Sequence, residues 1–515
     1  MKNVFKILGR IFGTIIGSVL LVAAVILFWA GIFTYASACI ILGIIILIII
    51  YFRKKKLQIA MTISLAAIFV ASSVFTYFDL FADYNKLEIE QQASFAGSYN
   101  SDNGYSWGAN QNKLASIGKT IFTYEYDNSH LKNGNASATN QGKLIFYKVV
   151  DGQKTEIGDG PCIRPGHVLT DKLHNKVYYV TVEGTGEAIG EFGEDIVSGG
   201  DIRMYTFNYN AATKQTVLED SEVVISADDT DGSNIRLGVA ISETGDVMIT
   251  YGSYNGYIYA FIKEYDQSKW AAYCYLSNAE HHSMMYCFGI IKNVQQFYIL
   301  AVQDWNDWNN TGNTYYFYSK LFIFDGITES VPIVYTDEVS ISPHSLDIGD
   351  FVLLSADGWS EIMVEDIRGT KQALDAEAKQ GEYSQIVRDT EFILHDGKLH
   401  IILGVLRDSF WLKGNTRKYT HFVYENNELK TIKDNFDVWA DDIRIAKYNG
   451  KLYYAYGVSL IGRFEIIEVD TGELVFKKTT GLFSDGTVFI DRYTEDSINL
   501  LYIAENATLF SFKIN

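Results

Sequence analysis

Residues 443–457 read Ile-Arg-Ile-Ala-Lys-Tyr-Asn-Gly-Lys-Leu-Tyr-Tyr-Ala-Tyr-Gly, two runs of β-prone residues on either side of Asn449-Gly450. Asn-Gly is the pair that a two-residue primed turn requires, because both residues adopt a positive φ at little cost. The stretch therefore predicts a tight β-hairpin whose second strand is strongly apolar and ends at a glycine.

The same hairpin recurs along the chain. Clear copies span Glu391–Gly404, His167–Val180 and Gly238–Tyr251. Weaker copies centre near Gly118, Asn293, Gly349 and Asp496, so that successive turns lie 46 to 70 residues apart. Units of about 50 residues with up to four antiparallel strands are typical of propeller blades. The sequence predicts an all-β fold, a β-propeller of seven or eight blades.

The ring is predicted to span residues 108–515, and its last unit ends at Asn515 after only three strands. A closed propeller needs a fourth strand in that blade. We expect the segment before Gly118 to supply it, so residues 79–107 are predicted to form a stalk and the ring-closing strand.

Three transmembrane helices are predicted in residues 1–78. This segment has no Asp or Glu, and the run from Ile11 to Phe52 carries no charge at all. At 1.5 Å per helical residue that run reaches roughly 63 Å, which is enough for two crossings of a bilayer core of about 30 Å. The basic cluster Arg53–Lys56 precedes a second uncharged run, Leu57–Phe78. Because basic residues favour the cytoplasmic side, we expect a multi-pass cell-membrane protein with a cytoplasmic N-terminus and a large extracytoplasmic C-terminal domain.

The domain after residue 78 is strongly acidic. It holds 36 Lys and Arg against 62 Asp and Glu, a net charge of −26. So negative a surface repels nucleic acid and anionic lipid faces, which argues against both as partners.

One short motif resembles a known family. Asp102-Asn-Gly-Tyr-Ser-Trp107 is similar to the Asp-box of the sialidase-like (BNR) β-propellers, whose pattern is Ser-x-Asp-x-Gly-x-Thr-Trp. The resemblance implies a propeller fold, and in that family the Asp-box is a folding device remote from the active site. The family's Arg-Ile-Pro signature is not matched; the nearest string is Ile163-Arg164-Pro165-Gly166. Catalytic residues are therefore not assigned.

Arginines concentrate near the predicted innermost strands. Five of them lie shortly before a hairpin turn: Arg164, Arg236, Arg388, Arg444 and Arg492. Innermost strands line the central channel of a propeller, and a guanidinium binds carboxylate or sulfate through two parallel hydrogen bonds. We predict Arg164, Arg236, Arg388 and Arg444 as ligand-binding residues. The alternative is that arginines pair with adjacent acids such as Asp389, Asp441 and Asp442.

Two loops carry further candidate residues. Trp305 and Trp308 lie in Asp304-Trp-Asn-Asp-Trp-Asn-Asn-Thr311, where aromatic rings beside amides and carboxylates suit a sugar-binding surface. Asp229 and Asp231 lie in an oxygen-rich loop that resembles a calcium site but lacks the bidentate glutamate of an EF-hand. Calcium at these two residues is the only cofactor that the sequence suggests.

Two classes of function follow. The favoured one is a membrane-anchored extracytoplasmic propeller that acts as a binding or interaction module, with a cell-surface glycan or an envelope protein as ligand. The alternative is a carbohydrate-active enzyme, either a sialidase-like glycoside hydrolase or a polysaccharide lyase. Histidines near inner strands (His167, His174 and His344) and the 35 tyrosines supply acid–base groups for that alternative.

Overall fold

The structure is a computed structural model of the 515-residue chain. It describes residues 44, 83–95, 112–127, 141–189, 195–227, 237–252, 257–268, 270–276, 285–292, 296–307, 313–324, 346–347, 352–354, 359–366, 387–406, 417–437, 440–458, 463–479, 487–492, 494, 496–503 and 507–514. The larger of the chain's two compact units comprises Asn85–Ser409, Gly414–Phe476 and Thr480–Asn515 and contains the buried clusters discussed below. Of the other unit, which includes Met1–Tyr84, only a few residues are described.

Thirty-one strands are described, and they form seven sheets. Two precede the first blade: β1 (Tyr84–Asn85) and β2 (Leu87–Phe95). The first blade contains β3 (Leu114–Ile117), β4 (Thr120–Asp127), β5 (Gly142–Val150) and β6 (Gln153–Cys162). The second contains β7 (Arg164–Asp171), β8 (Lys176–Ile189), β9 (Asp195–Asn210) and β10 (Gln215–Ala227). The third contains β11 (Leu237–Ile241), β12 (Val247–Gly252), β13 (Tyr257–Lys263) and β14 (Ala271–Leu276).

The fourth blade contains β15 (Met285–Lys292), β16 (Gln296–Asp307) and β17 (Asn313–Phe324), then β20 (Trp359–Asp366) after an excursion that includes β18 (Leu346–Asp347) and β19 (Val352–Leu354). The fifth contains β21 (Val387–His395), β22 (Lys398–Leu406), β23 (Arg417–Glu425) and β24 (Glu428–Asp437). The sixth contains β25 (Ala440–Tyr448), β26 (Lys451–Val458), β27 (Arg463–Glu468) and β28 (Leu474–Thr479). The seventh contains β29 (Thr487–Ile490), β30 (Ile498–Ile503) and β31 (Ala507–Ile514).

The seven sheets are arranged as a ring. The first strand of each blade packs against the first strand of the next, from β3 through β7, β11, β15, β21 and β25 to β29, and the seventh blade returns to β3 through β30. The hydrophobic clusters lie between neighbouring blades, as in the cluster of Phe146, Tyr179 and Phe207, which joins the first blade to the second. The all-β propeller predicted from the sequence is confirmed, with seven blades.

Two of the clearest predicted hairpin turns are present where the sequence places them. Asn449 and Gly450 have φ values of 49° and 70°, and Asp396 and Gly397 have values of 49° and 73°. These left-handed values explain why Asn-Gly and Asp-Gly occupy the turns, since other residue types adopt them only at a cost.

The predicted eighth unit, centred near Gly349, is wrong. β18 pairs with the end of β10 in the second blade, and β19 pairs in parallel with β14 in the third. These short strands do not pair with each other, so they form no hairpin of their own. They extend the outer edges of two existing blades, which is why their composition resembles that of a blade strand.

The seventh blade takes its outer strand from the other end of the chain. β2 pairs antiparallel with β31 from Leu87↔Ile514 to Phe95↔Ala507. Lys513 and Glu90 form an ion pair of 2.7 Å across this junction. The N-terminal and C-terminal strands of the propeller thus close the ring.

The predicted membrane helices, residues 1–78, lie almost wholly outside the described residues. In the part of the chain that the structure does describe, no helix is long and apolar enough to cross a bilayer. The three spans stay a prediction.

Candidate functional site

The arginines predicted from the sequence lie on innermost strands where their backbone is described. Arg164 begins β7, Arg388 lies in β21 and Arg444 lies in β25. The side chains of Arg164 and Arg388 are outside the described set, and Arg236 is outside it entirely. Of these four, the structure therefore shows side-chain contacts for Arg444.

Arg444 and Arg492 meet at a buried carboxylate. Arg492 donates from Nε to Glu391 Oε1 over 2.8 Å, and Arg444 Nη1 lies 3.6 Å from Glu391 Oε2. Arg444 also donates from Nε to the carbonyl of Val488, 2.9 Å away, and the backbone N–H of Phe392 donates to Glu391 Oε1. Glu391 is fully buried and Arg444 is 1 % exposed.

This cluster joins three blades, because Glu391 belongs to the fifth, Arg444 to the sixth and Arg492 to the seventh. The guanidinium of Arg444 faces a carboxylate of its own chain and not solvent. Arg444 and Arg492 therefore pair with an acid, as the alternative prediction stated. The acid is Glu391 and not a neighbouring aspartate. The signal for Glu391 was present in the sequence: it is a charged residue directly before the apolar run Phe392-Ile-Leu394 of an innermost strand.

Next to this cluster, His167 is buried and neutral. Its Nδ1 accepts a hydrogen bond of 3.1 Å from the backbone N–H of Asn112. Burial, and to a smaller degree the charge of Arg492, lower the pKa of His167 to about 3, although a hydrogen bond to the backbone of Leu237 acts in the opposite direction. A histidine in this state is held as a structural acceptor between the first two blades.

A second histidine group lies between the fifth and sixth blades. His400 Nδ1 and His421 Nε2 are 3.0 Å apart, and His421 Nδ1 is 2.8 Å from the hydroxyl of Tyr454. Burial lowers the pKa of His400 to about 4 and that of His421 to about 3, with smaller contributions from neighbouring positive charge. Both imidazoles are therefore neutral at physiological pH.

A cleft lies between the second and third blades, and we call it the β8–β13 cleft. Its volume is about 510 Å³. The residues that line it come from β8, β9 and β10 on one side and from the β11–β12 turn and the end of β13 on the other: Lys176, Tyr178, Met204, Thr206, Glu219, Asp220, Glu222, Gly245, Val247, Lys263, Glu264, Tyr265 and Gln267. Pockets of this size hold small ligands or one or two sugar rings.

Tyr178 forms part of the floor of this cleft. It is 6 % exposed, and its ring belongs to the hydrophobic cluster that also contains Met204 and Val247. Burial raises the pKa of its hydroxyl, and the negative groups Asp171, Tyr265, Glu219 and Glu222 add to the effect. Glu219, Glu222 and Tyr265 line the cleft together with Tyr178. The Tyr178 hydroxyl forms no hydrogen bond with any residue that the structure describes.

An aromatic ring forms the rim. Tyr265 is 41 % exposed and stacks on His174, with ring centroids 3.4 Å apart and ring planes 7° apart. His174 is held from the other side by Asp171, whose carboxylate lies 2.6 Å from Nδ1 and also accepts from the His174 backbone N–H. Gly245, at φ 93°, packs against this pair, and a Cβ there would lie 2.9 Å from His174 Nδ1. The third blade thus approaches Asp171 and His174 through a residue that must be glycine.

Ion pairs form the walls. Lys176 pairs with Glu219 within the second blade. Lys263 of the third blade donates to Glu222 of the second over 2.7 Å. Pairing with Lys176 lowers the pKa of Glu219, whereas burial, Asp246 and Asp266 raise the pKa of Glu264. The cleft therefore presents exposed and buried aromatics together with fixed polar groups, an arrangement suited to binding a polyhydroxylated ligand.

The remaining predicted site residues stay predictions. Trp305 lies in β16 opposite Tyr315, but its side chain is not described, and Trp308 is outside the described residues. Asp229 and Asp231 are also outside them. Within the described ranges, no group of three or more His, Cys, Asp or Glu residues is arranged to hold a metal ion.

The sequence did not single out the cleft. Its tyrosines are two of 35 in the chain, and Tyr178 and Tyr265 lie 87 positions apart. Only the docking of one blade against the next brings Tyr178 and Tyr265 together.

No protein-family model matches the sequence, and no curated protein matches it either. Solved structures that resemble it include an ulvan lyase, described as a new family of polysaccharide lyase, with a TM-score of 0.47, 10 % identity, and coverage of 83 % of this chain and 96 % of that one. A Hadza microbial sialidase gives a TM-score of 0.38 and 9 % identity, covering 74 % of this chain and 75 % of that one. The chain's own sheets make it a seven-bladed β-propeller, which is the fold that the resemblance to sialidase-like propellers implied. These likenesses say nothing about its site, because a fold does not fix a function.

Proposed function

We propose that this protein is a membrane-anchored extracytoplasmic propeller that binds a glycan in the β8–β13 cleft. The observation that carries the proposal is that an exposed tyrosine, Tyr265, and a mostly buried tyrosine whose hydroxyl has no hydrogen-bond partner among the described residues, Tyr178, line one cleft of about 510 Å³. Sugar rings stack on aromatic faces through their C–H groups, and their hydroxyls need fixed hydrogen-bond partners.

Binding of the purified full-length protein to a panel of neutral, acidic and amino-bearing oligosaccharides tests this proposal. Tyr265→Ala should weaken binding of the best ligand by about tenfold, since one aromatic contact contributes roughly 1 kcal/mol beyond its area. Tyr178→Phe should weaken it as well, without changing thermal stability. Met363→Ala is the matched control, because Met363 is 40 % exposed and lies in the fourth blade. If Tyr265→Ala and Met363→Ala bind alike, the cleft is not the glycan site.

The cellular location is part of the proposal. The uncharged runs Ile11–Phe52 and Leu57–Phe78 and the basic cluster between them support an N-terminal anchor with residues 80–515 outside. Protease added to intact cells should then digest the propeller. Digestion only after lysis would reverse the orientation.

A carbohydrate-active enzyme is the second candidate, and Asp171–His174 is the observation that favours it. A buried carboxylate fixes His174 through Nδ1, which leaves Nε2 as the proton acceptor, and this is how catalytic bases are oriented. New reducing ends or unsaturated uronates, formed from a bound oligosaccharide and lost in His174→Gln, would establish the enzyme. Unchanged ligand after prolonged incubation favours the binding module.

A further inference from the structure

The charges of the β8–β13 cleft select among glycans, and this inference rests on the proposed function. Both lysines of the cleft are already paired, Lys176 with Glu219 and Lys263 with Glu222. Asp220 and Glu264 remain as acids of the lining without a positive partner among the described residues. The cleft therefore carries a net negative charge, in contrast to the anion site that the inner-strand arginines suggested.

The acidic edge is concentrated at Glu264. Burial is the main cause that raises the pKa of Glu264, and the charges of Asp246 and Asp266 add to it. Asp246 is held by neutral donors: the hydroxyls of Ser242 and Thr244 and the backbone N–H of Tyr265. Glu264 thus lines the cleft with two further carboxylates acting on it by charge, and none of the three forms an ion pair with a residue that the structure describes. A ligand that brings a positive charge relieves their repulsion.

The arrangement suits an ammonium group better than a metal ion. A hard cation such as Ca²⁺ needs six to eight oxygens converging at 2.3–2.6 Å, and no such group of acids is present in the described part of the cleft. An ammonium has three donors that point in different directions and can engage separate acceptors. Tyr178 is 6 % exposed as a residue, and its hydroxyl, which has no hydrogen-bond partner among the described residues, supplies an acceptor that is independent of the acids.

Tyr265 favours a ligand that has a ring as well as a positive charge. Its exposed face offers a flat surface beside the acids, on which a sugar ring can stack while its amine reaches Glu264. We propose that the β8–β13 cleft binds glycans that carry free amines, with the amino-sugar ring stacked on Tyr265 and its ammonium directed at Glu264.

A matched pair of oligosaccharides tests this inference. Binding of the full-length protein is measured for a glucosamine hexamer and for the N-acetylglucosamine hexamer, which have the same backbone but differ in the charge of the nitrogen. At a pH where the amines are protonated, the glucosamine hexamer should bind at least tenfold more tightly, since hydrogen bonds to charged groups contribute this much. The preference should fall as salt concentration rises.

Two variants separate the roles of charge and stacking. Glu264→Gln should remove most of the preference by weakening only the glucosamine hexamer, whereas Tyr265→Ala should weaken both hexamers by a similar factor. Glu428→Gln, on the exposed β23–β24 turn of the fifth blade, is the control and should keep the preference. Thermal melts of the three variants verify that each is folded.

The outcomes distinguish this inference from the proposed function. Equal affinity for the two hexamers overturns the amino-sugar inference and leaves the glycan site in place. If hexalysine binds as tightly as the glucosamine hexamer, the inference is also overturned, because binding would then depend on positive charge and not on the sugar ring. Failure of every oligosaccharide to bind overturns both.

Discussion

Mild acid should destabilise this propeller because three histidines are buried in the neutral form. His167, His400 and His421 have folded-state pKa values of about 3, 4 and 3, whereas an unfolded histidine titrates near 6.5. Between these values the unfolded chain binds three protons that the folded chain does not. The stability that they contribute is fully present above pH 6.5 and is lost as the pH falls below it.

The magnitude follows from the protonation of the unfolded state. Lowering the pH from 6.5 to 5.5 changes the free energy of one unfolded histidine by about 1 kcal/mol, so three histidines remove about 3 kcal/mol of unfolding free energy. Carboxylates change little in this window because their ordinary pKa values lie near 4. Urea titrations of the full-length protein at several pH values, followed by tryptophan fluorescence, measure this slope.

Substitution gives the internal control. His167→Asn keeps an acceptor for the Asn112 N–H and should reduce the loss to about 2 kcal/mol over the same window, and adding His421→Asn should reduce it to about 1 kcal/mol. Because the variants differ in stability at pH 6.5, we compare how the unfolding free energy changes with pH and not the urea midpoints themselves. A wild-type stability that does not change between pH 6.5 and 5.5, or a slope that the variants leave intact, would refute the reasoning.

Three further predictions concern the framework. Glu391→Gln removes the buried carboxylate that Arg444 and Arg492 share and should lower the unfolding free energy by about 3 kcal/mol or more, as urea titration at pH 7 will measure. Gly245→Ala forces a side chain into a left-handed conformation against Asp171 and His174, so it should lower both the melting temperature and glycan affinity; an unchanged melting temperature would show that the turn adapts. Removal of Thr508–Asn515 takes away most of β31 and should unfold far more than eight residues, and a truncated protein that melts like the wild type would contradict the ring closure.

The repeated hairpins were predictable because their signals are local. A primed turn requires Asn-Gly or Asp-Gly, and the strands on either side are next to it in the sequence, so turns such as Asn449-Gly450 could be placed without any tertiary information. The strands near Gly349 have the same composition, but their partners are in other blades, and a local pattern does not identify a distant partner. For this reason the sequence pattern allowed eight blades, one more than the structure has.

The site was less predictable for the same reason. An arginine on an innermost strand can be located from its distance to the turn, but whether it faces a ligand or an acid depends on the opposing blade. Arg444 meets Glu391, 53 positions earlier in the chain, through a contact that no spacing reveals. Tyr178 and Tyr265 belong to the same cleft only because β8 and β13 are packed side by side.

The pairing of β2 with β31 has a consequence for biosynthesis. β2 is the first long strand of the propeller to be made, and its partner is the last. Translation at 5–20 residues per second separates the two by roughly 20–80 s, during which β2 has an unpaired edge. Joining ends more than 400 residues apart also carries a loop-closure cost of about 5 kcal/mol unless the intervening blades are already formed. Assembly should therefore proceed blade by blade from the N-terminal side, and a nascent chain that stops early leaves an exposed strand edge, the feature that quality-control proteases and aggregation both recognise.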